Sequence, residues 1–193
     1  MTIPRRLTST AASLALLVFS ALPAKAQLTT YTFTGAEPTM ALRLTRNGVV
    51  STFPIVKAFP GTNGGGPFAY VTFSFLNPFG DPTPFFVAPS PTGSTAFNPF
   101  FSVYAGSFDP SNLALNYLGD DGLSCETCAP FSVLAPTGNV LVVVNKVTPN
   151  DASTFSFVTS FEPTAVPEPT SVALLATGLA AMTLVAGRRR RTS

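Results

Sequence analysis

Cys125-Glu126-Thr127-Cys128 holds the only two thiols in a chain of 193 residues that contains no histidine. A Cys-x-x-Cys pair can be a redox dithiol, half of a zinc site or a small structural disulfide, and context separates the three. Redox pairs sit at a helix N-terminus within a βαβ framework, and no such pattern surrounds this one. Zinc needs two further ligands, and the chain offers neither histidine nor a third cysteine. An oxidising compartment favours the disulfide Cys125–Cys128, which would tie down the loop between Asp121 and Phe131.

The missing histidine also removes Ser-His-Asp and Cys-His nucleophile arrangements, so carboxylates, Lys and Tyr remain as acids or bases. Asp109, Asp120, Asp121 and Glu126 form the acidic group. Oxygen ligands on loops suit calcium, which makes Asp109, Asp120 and Asp121 the candidate ligands, although the spacing is not that of an EF-hand. The competing reading is a turn in which Asp side chains bond their own backbone, with Asp121-Gly122 as the turn dipeptide. A glycosidase would need two carboxylates facing across a cleft, and nothing in the pattern indicates a cleft. Tryptophan is absent, so sugar stacking would fall to Tyr31, Tyr70, Tyr104 and Tyr117. The expectation is a non-enzymatic protein with no cofactor.

The elements that must position these groups read as strands. Val71, Phe73 and Phe75 alternate with Thr72 and Ser74, Leu42 and Leu44 flank Arg43, and Phe155 and Phe157 alternate with Thr154 and Ser156. Val140 to Val144 is a continuous β-branched and aliphatic run, which predicts a strand covered on both faces. Phe101–Ala105, Leu113–Leu118 and Phe131–Leu134 supply further strands between Asp-Pro, Asp-Asp-Gly and Pro-Thr-Gly-Asn turns. From Asn77 to Pro99 the chain carries six prolines, which predicts a loop along an edge with at most one short strand at Phe85–Val87. Short strands at this spacing indicate a single all-β sandwich.

Both ends of the sequence read as signals. Arg5 and Arg6, the apolar core Leu14–Leu22 and Ala24-Lys25-Ala26 form a signal peptide over residues 1–26, a short signal helix with signal peptidase cutting after Ala26. At the other end Ser171–Gly187 is 17 uncharged residues, followed by Arg188, Arg189, Arg190 and Arg191. As a helix it spans about 25 Å, enough for a short transmembrane helix, and the arginines act as a cytoplasmic stop. Between the signals lie 140 residues, Gln27–Val166, the size of one domain. Their four bases, Arg43, Arg46, Lys57 and Lys146, face eight acids, which gives a net charge of −4. An acidic, charge-poor domain has no footprint for nucleic acid.

Val166-Pro167-Glu168-Pro169, the small-residue helix and the arginine cluster together resemble the PEP-CTERM sorting domain of Gram-negative bacteria. The resemblance implies an exported protein whose tail, residues 167–193, is processed by an exosortase-type membrane protease. It also implies passage through the inner membrane to the cell surface or extracellular matrix, with exopolysaccharide as a partner. A second likeness covers Phe101 to Phe161, where Val103-Tyr104-Ala105-Gly106-Ser107-Phe108-Asp109-Pro110, Gly119-Asp120-Asp121-Gly122 and Gly138–Val144 resemble a bacterial pre-peptidase C-terminal type module. That likeness implies a jelly-roll-like β-sandwich ectodomain over residues 27–166. The resulting expectation is a non-enzymatic surface or matrix-associated protein. The alternative is an extracellular adhesin or glycan- or calcium-binding module using Tyr104, Tyr117 and the Asp120 loop.

Overall fold

A computed structural model describes residues 26–90, 98–123, 128–147 and 154–162. The described chain forms eleven strands: β1 (Gln27–Thr32), β2 (Thr39–Met40), β3 (Arg43–Leu44), β4 (Thr62–Asn63), β5 (Phe68–Asn77), β6 (Thr83–Ser90), β7 (Pro99–Ala105), β8 (Tyr117–Asp120), β9 (Phe131–Ala135), β10 (Gly138–Lys146) and β11 (Thr154–Phe161). One sheet has the order β1-β11-β6-β9 and the other β2-β5-β10-β7-β8, with β3-β4 as a separate ribbon. Pairing is nested, since β7 pairs with β8, β6 with β9, β5 with β10 and β1 with β11, all antiparallel. Successive pairs along this ribbon fall alternately in the two sheets, which pack as a β-sandwich.

The core explains the phenylalanine content. Alternation along β11 buries Phe155, Phe157, Thr159 and Phe161 on one face. Phe155, Phe157 and Phe161 meet Phe101 and Val103 of β7, Val140, Val142 and Val144 of β10, and Phe85 and Val87 of β6 in one apolar cluster. Rings interlock across the sheets, with Phe101 edge-on to Phe155 at 5.7 Å and Phe73 edge-on to Phe157 at 5.2 Å. A smaller cluster of Met40, Leu44, Phe68, Phe100 and Leu113 lies apart from it. Phe100 and Phe101 alternate between the two clusters, so β7 is covered on both faces, as is the VLVVV run of β10.

Two sequence expectations are corrected. The proline-rich stretch is not an edge loop: β6 runs for eight residues and lies inside its sheet, between β11 and β9. Pro84 and Pro89 fit there because their missing N–H groups fall where the ladders stop. The Pro84 carbonyl accepts from Glu162 N at 3.0 Å, past the last β11 pair, Phe161↔Phe85. Alternation then points Pro89 toward β9, whose pairing ends at Val87↔Phe131. The second correction concerns Leu113–Leu118, where the strand starts only at Tyr117. Residues 113–116 form a turn in which Leu113 is buried and Asn116 has φ +62°. Asp120 accordingly belongs to a strand rather than to a loop. Leu44 is buried as its pattern requires, whereas Leu42 stays partly exposed.

The signal helix and the transmembrane helix expected from sequence lie outside the described residues. Among the described residues no helix is long and apolar enough to cross a membrane.

Candidate functional site

Ser51, Lys57, Tyr117 and Asp120 come together where a long excursion between β3 and β4 crosses one side of the sandwich. Thr45 N bonds Gly61 O at 3.0 Å and closes the base of that excursion. Its first half lies along β8 and β9, the terminal strands of the two sheets on this side. Ser51 N donates to Asp120 O at 3.1 Å, and Ser132 N donates to Ser51 O at 3.0 Å. Phe53 N reaches Ser132 Oγ at 3.0 Å, and Gly48 N reaches Gly122 O at 3.0 Å. Two edges that would otherwise expose unpaired backbone groups are thereby satisfied by one strap.

The strap carries Lys57 into the protein. Its ammonium donates to Asp120 Oδ1 and to the Val49 carbonyl, forming an ion pair whose side chains are 5% and 0% exposed. Tyr117 OH donates to Asp120 Oδ2, Gly122 N donates to Oδ1 at 2.6 Å, and Ser51 Oγ accepts from Asp120 N at 2.9 Å. Two glycines make the close packing feasible. A Cβ on Gly119 would stand 2.4 Å from Ser51 Oγ, and one on Gly122, at φ +69°, would stand 2.3 Å from Val49 O. Burial, reinforced by the Asp120 hydrogen bond and charge, pushes the Tyr117 hydroxyl far above its ordinary range.

Asp121 is fully buried one residue further on. Its Oδ2 accepts from Phe101 N at 3.3 Å, while its Oδ1 has no hydrogen-bond partner. Burial raises its pKa well above the carboxylate range; the Phe101 N–H and the Lys57 charge oppose that rise, and the Asp120 charge adds to it.

Of the acidic residues read together from sequence, Asp120 and Asp121 are buried side by side, whereas Asp109 has a different setting. Asp109 is on the surface, accepting from Ser111 N at 2.8 Å and Ser111 Oγ at 2.6 Å, bonds that lower its pKa. Asp120 has an ammonium where a calcium ion would need to sit. Among the described residues no group of three or more His, Cys, Asp or Glu is placed to hold a metal. Tyr104 is buried, which pushes its hydroxyl far above the ordinary range, so its ring is not presented to a ligand. Tyr31 and Tyr70 instead line a shallow depression of about 340 Å³ with Glu37. Cys128 packs against the main core and is disulfide-bonded, while Cys125 and Glu126 lie outside the described residues. So do Ala24, Val166, Pro167, Glu168, Pro169 and Arg188–Arg191; Ala26 is the first residue described.

Sequence reasoning missed Lys57. It is one of four bases in the domain and stands alone in an irregular segment, 63 positions from its partner. The usable signal was its setting, Ile55-Val56-Lys57-Ala58-Phe59, a charge inside an apolar run.

Residues 165–191 fit the model described as the PEP-CTERM protein-sorting motif. The motif marks the chain as an exported protein, sorted to the cell surface through an exosortase. No curated protein and no solved structure matches the chain, and the likeness to a pre-peptidase C-terminal type module gains no support.

Proposed function

We propose that the chain is a non-enzymatic structural protein of the cell surface or exopolysaccharide matrix: a jelly-roll domain delivered by its sorting tail. The observation that carries this reading is the motif at residues 165–191, set directly after a folded β-sandwich. The nested strand pairing supports the jelly roll. The polar groups of the strap support a packing role, because Ser51, Lys57, Tyr117 and Asp120 spend their hydrogen bonds on one another and on the backbone. Signal peptidase would leave Gln27 as the first residue, and β1 begins there.

The test is to replace Pro167-Glu168-Pro169 by alanines and follow the chain by size and fraction. Prolines hold a segment extended, the form a protease cleft binds, so the variant should stay full-length in the membrane while the parent is shortened and recovered with surface or matrix material. Equal shortening and release of the variant would refute the sorting reading. A second reading, a glycan-binding module, is favoured by the Tyr31–Tyr70 depression alone, and glycan-array binding by the ectodomain would decide for it.

A further inference from the structure

We infer that Lys57 and Asp120 are joined in the mature protein by an intramolecular amide bond, from Lys57 Nζ to Asp120 Cγ. The inference starts from contact without solvent. The ammonium lies against Asp120 Oδ1, and neither side chain is more than 5% exposed. In water an amine and a carboxylate do not condense, because the amine is protonated, the carboxylate is a poor electrophile and water competes. Each obstacle is reduced here. Reactants fixed in contact by the fold behave as if at an effective concentration of about 10⁵ M or more. A buried ion pair is costly to keep, so its conversion to a neutral amide with release of water relieves that cost.

The surrounding groups fit the steps. A proton passes from the ammonium to Asp120 Oδ1 along the existing hydrogen bond, leaving a neutral amine and a neutral acid. The Nζ lone pair then attacks Cγ and forms the C–N bond. Tyr117 OH, which donates to Oδ2, stabilises the negative charge that develops on that oxygen. The C–Oδ1 bond breaks, and Oδ1 leaves as water with the transferred proton and a second proton taken from nitrogen. The stoichiometry is one ammonium and one carboxylate to one amide and one water, with no oxidant, reductant or cofactor. The remaining amide N–H keeps the Val49 carbonyl as its acceptor.

Asp121, the next residue along the chain, is a buried carboxyl group that can relay the second proton, taking it up at one oxygen as the other releases one to the departing Oδ1. Its Oδ2 accepts from Phe101 N at 3.3 Å, and its Oδ1 has no hydrogen-bond partner. The product would fasten the strap to β8 covalently across 63 positions of sequence. An exported domain that operates beyond reach of intracellular chaperones gains resistance to opening from such a fastening.

Peptide mapping of the exported parent protein is the test. After denaturation, reduction and chymotryptic digestion, one branched peptide should join the segment around Lys57 to that around Asp120, one water lighter than its two parts. Trypsin should fail to cut after Lys57, and an amine-acylating reagent should leave Lys57 unmodified under denaturing conditions. Linear peptides only, with Lys57 acylated, would overturn the proposal and leave an ion pair. Asp120→Asn adds a check specific to the chemistry, because condensation would expel ammonia in place of water and give a branched peptide of the parent's mass. Asp121→Asn keeps an acceptor for Phe101 N but cannot carry the proton. It should slow formation of the branched species about 100-fold while circular dichroism stays native. An undiminished rate in that variant would overturn the role given to Asp121.

Discussion

Lys57→Met removes a buried charge while keeping most of the side-chain stem, and the structure sets how much stability this should cost. The ion pair is 5% and 0% exposed, so water cannot enter to solvate the carboxylate left behind. Breaking a buried pair in this way costs about 3–5 kcal/mol, against about 0–1 kcal/mol for a surface pair. Asp120 would keep the donors Tyr117 OH and Gly122 N, which argues for the lower part of that range. The orphaned Val49 carbonyl adds about 1 kcal/mol, so a total near 4 kcal/mol is expected. A domain of 140 residues holds roughly 7–20 kcal/mol in all, so the variant should fold but melt roughly 10 °C lower. Urea denaturation should show a lower midpoint with an unchanged slope. Removing both charges in Lys57→Met/Asp120→Leu should recover part of the loss, because no uncompensated ion stays inside. Where the amide has formed, Lys57→Met also loses a cross-link, so the fall can only grow. A single variant within about 1 kcal/mol of the parent would show that Lys57 reaches solvent, and a double variant weaker than the single would refute the desolvation argument.

Three further outcomes follow from particular contacts. Gly122→Ala must adopt φ +69° and place its Cβ 2.3 Å from Val49 O, so it should lose about 2–5 kcal/mol from backbone strain and overpacking. Gly35→Ala, at φ +88° with open space around it, should lose only the strain of about 1–2 kcal/mol; equal losses in urea denaturation would remove the clash from the account. Glu37 would be pushed up by its burial alone, but hydrogen bonds from Thr34 N at 2.6 Å, Thr34 Oγ1 at 3.0 Å and Gly35 N at 2.9 Å hold it at about 2 against an ordinary 4.5. Because the folded value is the lower one, its stabilisation is complete above about pH 4.5 and is lost as pH falls toward 2, so Glu37→Gln should melt below the parent at pH 6 and match it at pH 2; a constant gap would refute this. Alkylation of the exported protein without reduction should leave Cys125 and Cys128 unlabelled, and labelling of both would remove the disulfide.

What was legible in the sequence was local. Period-two alternation in Val71–Phe75 and Phe155–Phe157 gave β5 and β11 their inward faces, and the VLVVV run marked a strand covered on both sides. Proline content misled over β6, because whether a missing N–H matters depends on where the neighbouring strands stop, a property of register that one segment does not contain. Leu113 to Leu118 misled for a related reason: Leu113 is buried under a turn rather than on a pleated face, so apolar character alone did not mark a strand. The acidic cluster was visible as composition, but its counter-charge lay 63 positions away. Charge pairing across a sandwich leaves no periodic trace.

Topology also fixes how the domain meets its tail. Gln27 pairs with Thr159, so β1 starts beside the end of β11, and the two ends of the described domain emerge together. Pro167 stands six residues beyond Phe161, a reach of at most about 20 Å even when fully extended. An enzyme that engages the sorting motif therefore works close against the folded sheet. β11 is held there on both sides, by β1 and by β6, and its Phe155 and Phe157 are locked in the central core. Tension on the tail would load two hydrogen-bonded ladders in shear rather than peel an edge strand away. That arrangement lets the domain be folded before the tail is cut, and it gives a physical reason for the motif to follow an interior strand so closely.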